Sequence, residues 1–115
     1  MIDTTKKIGK HLNTFHECLN EELPLDFDYD NEVGVYFELN TISGYEYKDV
    51  ITLDIHFISL KNKLNELYFL VDIIDKNTHK KIIDNIRLTR KPVWLIDTKD
   101  DEYEHWILSY NLNKY

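Results

Sequence analysis

The sequence predicts an α+β domain, a mostly antiparallel sheet with two main helices packed on one face. Three observations carry that expectation. Apolar residues recur at helical spacing in two stretches, Ile8, Leu12, Phe15 and Leu19, then Leu60, Leu64, Leu67, Val71 and Ile74. Elsewhere they alternate with a period of two, at Ile51, Leu53, Ile55 and Phe57 and again at Trp106, Leu108, Tyr110 and Leu112. The resulting order of helix, strands, helix, strands occupies 115 residues, which is the length of one domain, 1–115, with one core.

Along the chain, Asp3 or Thr4 caps the first helix and Pro24 ends it. The next segment, LDFDYD, alternates Leu25, Phe27 and Tyr29 with Asp26, Asp28 and Asp30, so an extended chain would put rings on one face and carboxylates on the other. It reads as an irregular strand or an acidic loop. VGVYFELNTIS, residues 33–43, is rich in β-formers and stops at Gly44, the expected turn before a second hairpin strand from about Tyr47 to Ile58. A helix from about Leu60 to Lys76 follows directly, with Ser59 as its expected N-cap. Residues 78–91 stay open, because Ile82, Ile83 and Ile86 suit a short helix while Ile86 and Leu88 suit the start of a strand. Pro92 places the strand 93–97 close to the sheet margin, an acidic turn follows, and residues 105–115 form the closing strand.

Charge narrows the function classes. With 21 acidic against 14 basic residues the net charge is −7, which argues against a general phosphate-backbone binder. From Glu17 to Glu46 the chain carries acids and no Lys or Arg. Asp97, Asp100, Asp101, Glu102 and Glu104 make a second acidic block, and Lys80, Lys81, Arg87, Arg90 and Lys91 a basic one. Opposite patches of this kind orient a docking or self-associating protein. Cys18 is the single cysteine, so no internal disulfide forms and a reducing compartment is expected. Met1–Lys10 has no signal-peptide core and no apolar run approaches ~18 residues, so a soluble, intracellular protein without membrane attachment is expected.

The motifs that carry chemistry are incomplete. Asp26, Asp28 and Asp30 have the spacing that begins a calcium loop, but Asn31 stands where glycine is required and Phe37 where the bidentate Glu belongs. His11 and His16 fall on different sides of a helix. Asp54 and His56 project from one strand face, where a carboxylate can orient an imidazole, yet no nucleophile accompanies them. The serines lack a nucleophile-elbow context, and three glycines cannot write a phosphate or dinucleotide loop. These observations predict no catalytic residue, no metal, no cofactor and no enzyme. The aromatic residues supply core, with surplus Tyr and Trp for a protein interface.

Over nearly its whole length the chain resembles the tail terminator, or tail completion and head-tail joining, proteins of long-tailed bacteriophages. The resemblance rests on the helix with HLNTFHECLNEELP, the hairpin VGVYFELN to VITLDIHFIS, the helix KNKLNELYFLVDIIDK directly after it, and the strand WILSYNLNKY behind an acidic turn. It implies a structural protein of virion assembly that forms a ring, commonly hexameric, caps the tail tube and joins it to the head connector. The implied partners are further copies of itself, the tail tube protein and the connector or stopper protein, without sequence-specific nucleic-acid binding. The implied location is the virion neck and the cytoplasm of the infected host. On that basis Asp26, Asp28, Asp30 and Glu32 are the expected lumen or tube-facing surface, and Arg87, Arg90 and Lys91 the expected inter-subunit basic patch. The alternative is a small acidic inhibitor or immunity protein that imitates nucleic acid and binds an enzyme.

Overall fold

Alternating apolar residues and two amphipathic helices meet in one core. The computed structural model describes residues 2–45 and 48–114, with side chains for 3–41 and 51–113. Helix α1 (Ile2–Asn13) leads to a short strand β1 (Leu19–Asn20), then β2 (Gly34–Tyr45) and β3 (Lys48–Leu60). After a 3-10 turn, Lys61–Lys63, come α2 (Leu64–Thr78), β4 (Ile82–Ile83), β5 (Ile86–Asp97) and β6 (Tyr103–Lys114). The six strands form one sheet in the order β1-β2-β3-β6-β5-β4, antiparallel except where β1 runs parallel to β2. The fold is α+β, with a mostly antiparallel sheet.

The pleat decides what each face does. Leu53, Ile55 and Phe57 of β3 lie opposite Tyr110, Leu108 and Trp106 of β6, and Leu53, Ile55, Phe57, Leu108 and Tyr110 are fully buried. Ile8 and Leu12 of α1 and Leu67, Val71 and Ile74 of α2 complete this core with Val35, Phe37 and Leu88. Both helices therefore cover the same face, which leaves a helix-free face carrying Tyr36, Glu38, Asp54, His56, His105 and Ser109. No helix of the described residues is long and apolar enough to cross a membrane.

Several local expectations are corrected. The first helix stops at Asn13 and never reaches Phe15, Leu19 or Pro24. Asn13 is the reason: its amide donates to the Gly9 carbonyl at 2.7 Å and the Cys18 carbonyl at 3.0 Å, and its Oδ1 accepts the Cys18 N–H at 2.9 Å. One side chain thus ties the last turn of the helix to the turn into β1. Strand β2 runs through Gly44 to Tyr45, and the register shift between Ile42 and Tyr45 absorbs the glycine as an irregularity. Residues 46 and 47, including Tyr47 as the expected start of the next strand, lie outside the described residues. Ser59 is no N-cap, because it is a buried residue of β3 opposite Glu104 and its hydroxyl donates to the Leu60 carbonyl at 3.0 Å.

The open segment 78–91 is a hairpin. Ile83 pairs with Ile86 across a two-residue turn in which Asp84 and Asn85 both have positive φ, 51° and 65°. Such turns match the twist of the flanking strands, and Asp and Asn tolerate the left-handed region. Strand β5 consequently begins at Ile86 and contains Pro92, where the ladder to β6 is irregular between Arg90 and Leu95. Strand β6 begins at Tyr103, two residues earlier than its periodicity implied, and Tyr115 lies outside the described residues.

Candidate functional site

The acids Asp26, Asp28, Asp30 and Glu32 occupy a loop of successive turns and no strand. Phe27 N–H donates to the Pro24 carbonyl at 3.1 Å, and the N–H groups of Asn31 and Glu32 donate to the Asp28 carbonyl at 3.3 and 3.1 Å. Proline and aspartate favour these turns over a ladder. The alternation still governs exposure, since all four carboxylates face solvent while Phe27 and Tyr29 are half-buried. The Phe27 and Tyr29 rings pack edge to face at 4.9 Å, and Tyr29 meets Tyr103 at 4.8 Å. Asp28 Oδ2 accepts the Asn31 amide at 2.6 Å, and no group of three or more His, Cys, Asp or Glu among the described residues is arranged to hold a metal ion.

The second acidic block is brought to the same place. Asp100 Oδ1 accepts the N–H groups of Tyr103 and Glu102 at 2.9 and 2.8 Å, and these bonds hold its carboxyl below the usual carboxylate range. Asp97 is lowered in the same way by the Lys99 N–H. Lys61 Nζ donates to the Asp100 carbonyl at 3.1 Å and Lys63 Nζ to the Asp30 carbonyl. Residues 26–32 and 97–102 are thus pinned together around the start of α2.

Lysines collect at the other end of that helix. Lys7, Lys10 and Lys81 surround a groove of about 390 Å³ whose wall includes His11 and whose apolar part is Ile82 and Ile83. Lys7 pairs with Asp84 at 2.7 Å, whereas Lys10 and Lys81 make no ion pair among the described residues. His11 Nε2 lies 3.1 Å from Thr78 Oγ1, and burial, followed by the Lys81 charge, pushes the His11 imidazole down.

Arg87, Arg90 and Lys91 are not brought together. The Arg90 guanidinium, still partly exposed, turns toward α2, where it grips Asp75 through Nε at 3.0 Å and through Nη2, and it lies 4.4 Å from the Trp94 ring centroid. Tyr110 donates its hydroxyl to Asp75 Oδ1 at 2.5 Å, and the Arg90 N–H donates to His79 Nδ1 at 3.1 Å. Arg87 and Lys91 alternate with Arg90 along β5 and so occupy the opposite face.

The helix-free face holds the most connected polar cluster. Asp54 and His56 share that face, as their spacing implies, but they bond to other groups. His56, 7% exposed, places Nε2 2.9 Å from Glu38 Oε1 and Nδ1 2.9 Å from His105 Nε2, beneath a Tyr36 ring stacked at 4.3 Å. Asp54 instead accepts Asn40 at 2.8 Å and Ser109 at 2.7 Å. One proton fits between the two imidazoles; with His56 Nε2–H on Glu38, His105 Nε2–H donates to His56 Nδ1. Burial, then the neighbouring His56, pushes His105 down. Ser109 Oγ, on the same face, donates to Asp54 rather than to either imidazole. Cys18 is buried and its thiol is pushed up to about 12, so it is no nucleophile.

Sequence reasoning had no hold on Glu38, His105 or Asp75 as site members. Glu38 was recoverable from the hairpin register, which sets it opposite Asp54. His105 and Asp75 required the long-range pairing of β6 with β3 and α2. Comparison with known protein families gives no match, and comparison with curated proteins gives none.

Proposed function

We propose that this chain is a structural assembly subunit of the tail terminator kind, which associates with copies of itself to cap a phage tail tube and join it to the head connector. The observation that supports this most is the segregation of charge: two acidic segments meet at the α2 N-terminal end, and Lys7, Lys10 and Lys81 gather at its C-terminal end. A subunit with unlike, complementary ends makes heterologous contacts, and these close into rings when the rotation permits. In this proposal the exposed carboxylates Asp28, Asp30 and Glu32, with Asp26 at the loop tip, face the lumen or the tube, where they repel DNA phosphates. Arg87 and Lys91 serve the inter-subunit contacts, and Arg90 serves the subunit's own core. The protein belongs to the virion neck, has no catalytic role and uses no cofactor. Electron microscopy of tails assembled without this protein tests the proposal: overlong or headless tails are expected, and tails of normal length that join heads overturn it.

A second reading is favoured by the same acidic end. Joining residues 26–32 to 97–102 produces the single carboxylate surface that a nucleic-acid-mimicking inhibitor needs. That reading expects a strict monomer, by light scattering, that blocks a nuclease in a one-to-one complex; assembly on tail tubes decides against it.

A further inference from the structure

We propose that Leu25 and Asp26 form a peg that docks into the lysine-rimmed groove over Ile82 and Ile83 on a second copy of this chain. This rests on the self-assembly reading above and names the contact that would drive it. An exposed leucine alone is ordinary. Leu25 differs because it is fully exposed on a loop whose base is fixed. The bond from Phe27 N–H to the Pro24 carbonyl puts Leu25 and Asp26 at the two corners of a turn, and Pro24 restricts the chain entering it. Beneath the tip, Leu23 and Phe27 press so closely on Gly34 that a Cβ there would meet them at 2.4 and 3.1 Å. The ring contacts of Tyr29 and the Lys63 bond to the Asp30 carbonyl hold the far side. A rigid acidic turn therefore presents one aliphatic side chain to solvent.

The groove has the inverse chemistry. Ile82 is 49% exposed, and Lys10 and Lys81 have no carboxylate partner among the described residues. An aliphatic tip flanked by carboxylates matches an aliphatic floor ringed by ammonium groups in chemistry and in sign. Peg and groove sit at opposite ends of α2, so one copy cannot satisfy itself. Repeated between copies, the contact is heterologous. Asp26 then belongs to the contact, and Asp28, Asp30 and Glu32 remain for the lumen or tube-facing surface.

The test uses the full chain. Leu25→Cys combined with Ile82→Cys should give a ladder of disulfide-linked multimers under mild oxidation, because buried Cys18 does not compete. Leu25→Cys with Val93→Cys, an exposed position on β5, is the control. In sedimentation velocity, Leu25→Ser and Lys10→Glu with Lys81→Glu should each weaken self-association about tenfold, with unchanged circular dichroism. Assembly that survives these variants, with a ladder no longer than the control's, overturns the peg and leaves the self-assembly reading standing. A monomer at every concentration and on purified tail tubes overturns both. Loss of tube binding in the lysine variant without any ladder makes the occupant a tube protein, which also overturns the proposal.

Discussion

Asp75 lies on α2 in the core layer, 6% exposed, and is tolerated there because three groups answer its charge: the Tyr110 hydroxyl and the two arms of Arg90. Burial first, then the Asp75 hydrogen bond, pushes the Tyr110 phenol far up, so its O–H remains a donor. Tyr110→Phe should therefore cost ~1.5–3 kcal/mol, the usual worth of a hydrogen bond to a charged group, measured by urea unfolding. A loss within error would show that Arg90 alone satisfies Asp75. The histidines make a second prediction at this scale. His11, His79 and His105 are all pushed down in the fold, in each case first by burial. The unfolded chain, with histidines near ~6.5, then binds more protons than the native state as the pH falls. Stability present above that value is lost below it. Urea midpoints should drop between pH 7.5 and pH 5, and His105→Gln, which keeps a donor toward His56, should flatten that slope. An unaltered slope removes His105 from the account. Period-two spacing made it legible that Asp54 and His56 share a face; it was silent on their partners, which cross-strand register supplies.

At the scale of elements, segments whose fate is set by local pattern were legible, and segments set by one side chain or one distant contact were not. Leu67, Val71 and Ile74 of the helical stripe and Leu53, Ile55 and Phe57 of the strand are buried as their periods require, whereas Ile51 and Leu64 are half-buried and Leu60 closes β3 instead of opening the helix. The first helix ended early because Asn13 supplies local hydrogen bonds that hydrophobic spacing does not register. Residues 78–91 were ambiguous because three isoleucines fit either period; the positive φ of Asp84 and Asn85 resolves them into a hairpin. The acidic loop shows both behaviours, with rings inward as the alternation implies and backbone in turns as Pro24 dictates. Its anchorage yields the prediction that belongs here. Gly34→Ala sets a methyl 2.4 Å from Leu23 Cδ1, the free end of a half-buried side chain that must turn away, and 3.1 Å from Phe27 Cε1, so the loop's seat on the strand loosens. The expected cost is about 1 kcal/mol, the low end for overpacked sites, because Leu23 can turn away. Faster proteolysis within residues 21–32 should accompany it; equal stability together with an unchanged cleavage pattern would show that the loop is not seated on Gly34.

For the whole molecule, the governing feature is a separation of charge along α2, with the two acidic segments at its N-terminal end and Lys7, Lys10 and Lys81 at its C-terminal end, ~22 Å away over 15 helical residues. Helix α2 runs between them in the favourable sense, its N-terminal half-positive end toward the carboxylates and its C-terminal end toward Lys81. At ~0.1 M salt the Debye length is about 10 Å, less than half of the ~22 Å that α2 spans, so the two ends are largely screened from each other within one copy. In the proposed contact between copies the two ends come within contact distance, where the attraction is strongest. Self-association, or binding to tail tubes, should therefore weaken about tenfold as salt rises from ~0.05 to ~0.5 M. The apolar part of the same contact responds differently, because burial of a leucine side chain is little affected by screening. Leu25→Ser should lower the association constant by a similar factor at every salt concentration, whereas the Lys10→Glu, Lys81→Glu variant should lose most at low salt and converge on the parent at high salt. Sedimentation equilibrium across a salt series separates the two contributions, and association that strengthens with salt would move the contact from the charged ends to an apolar face.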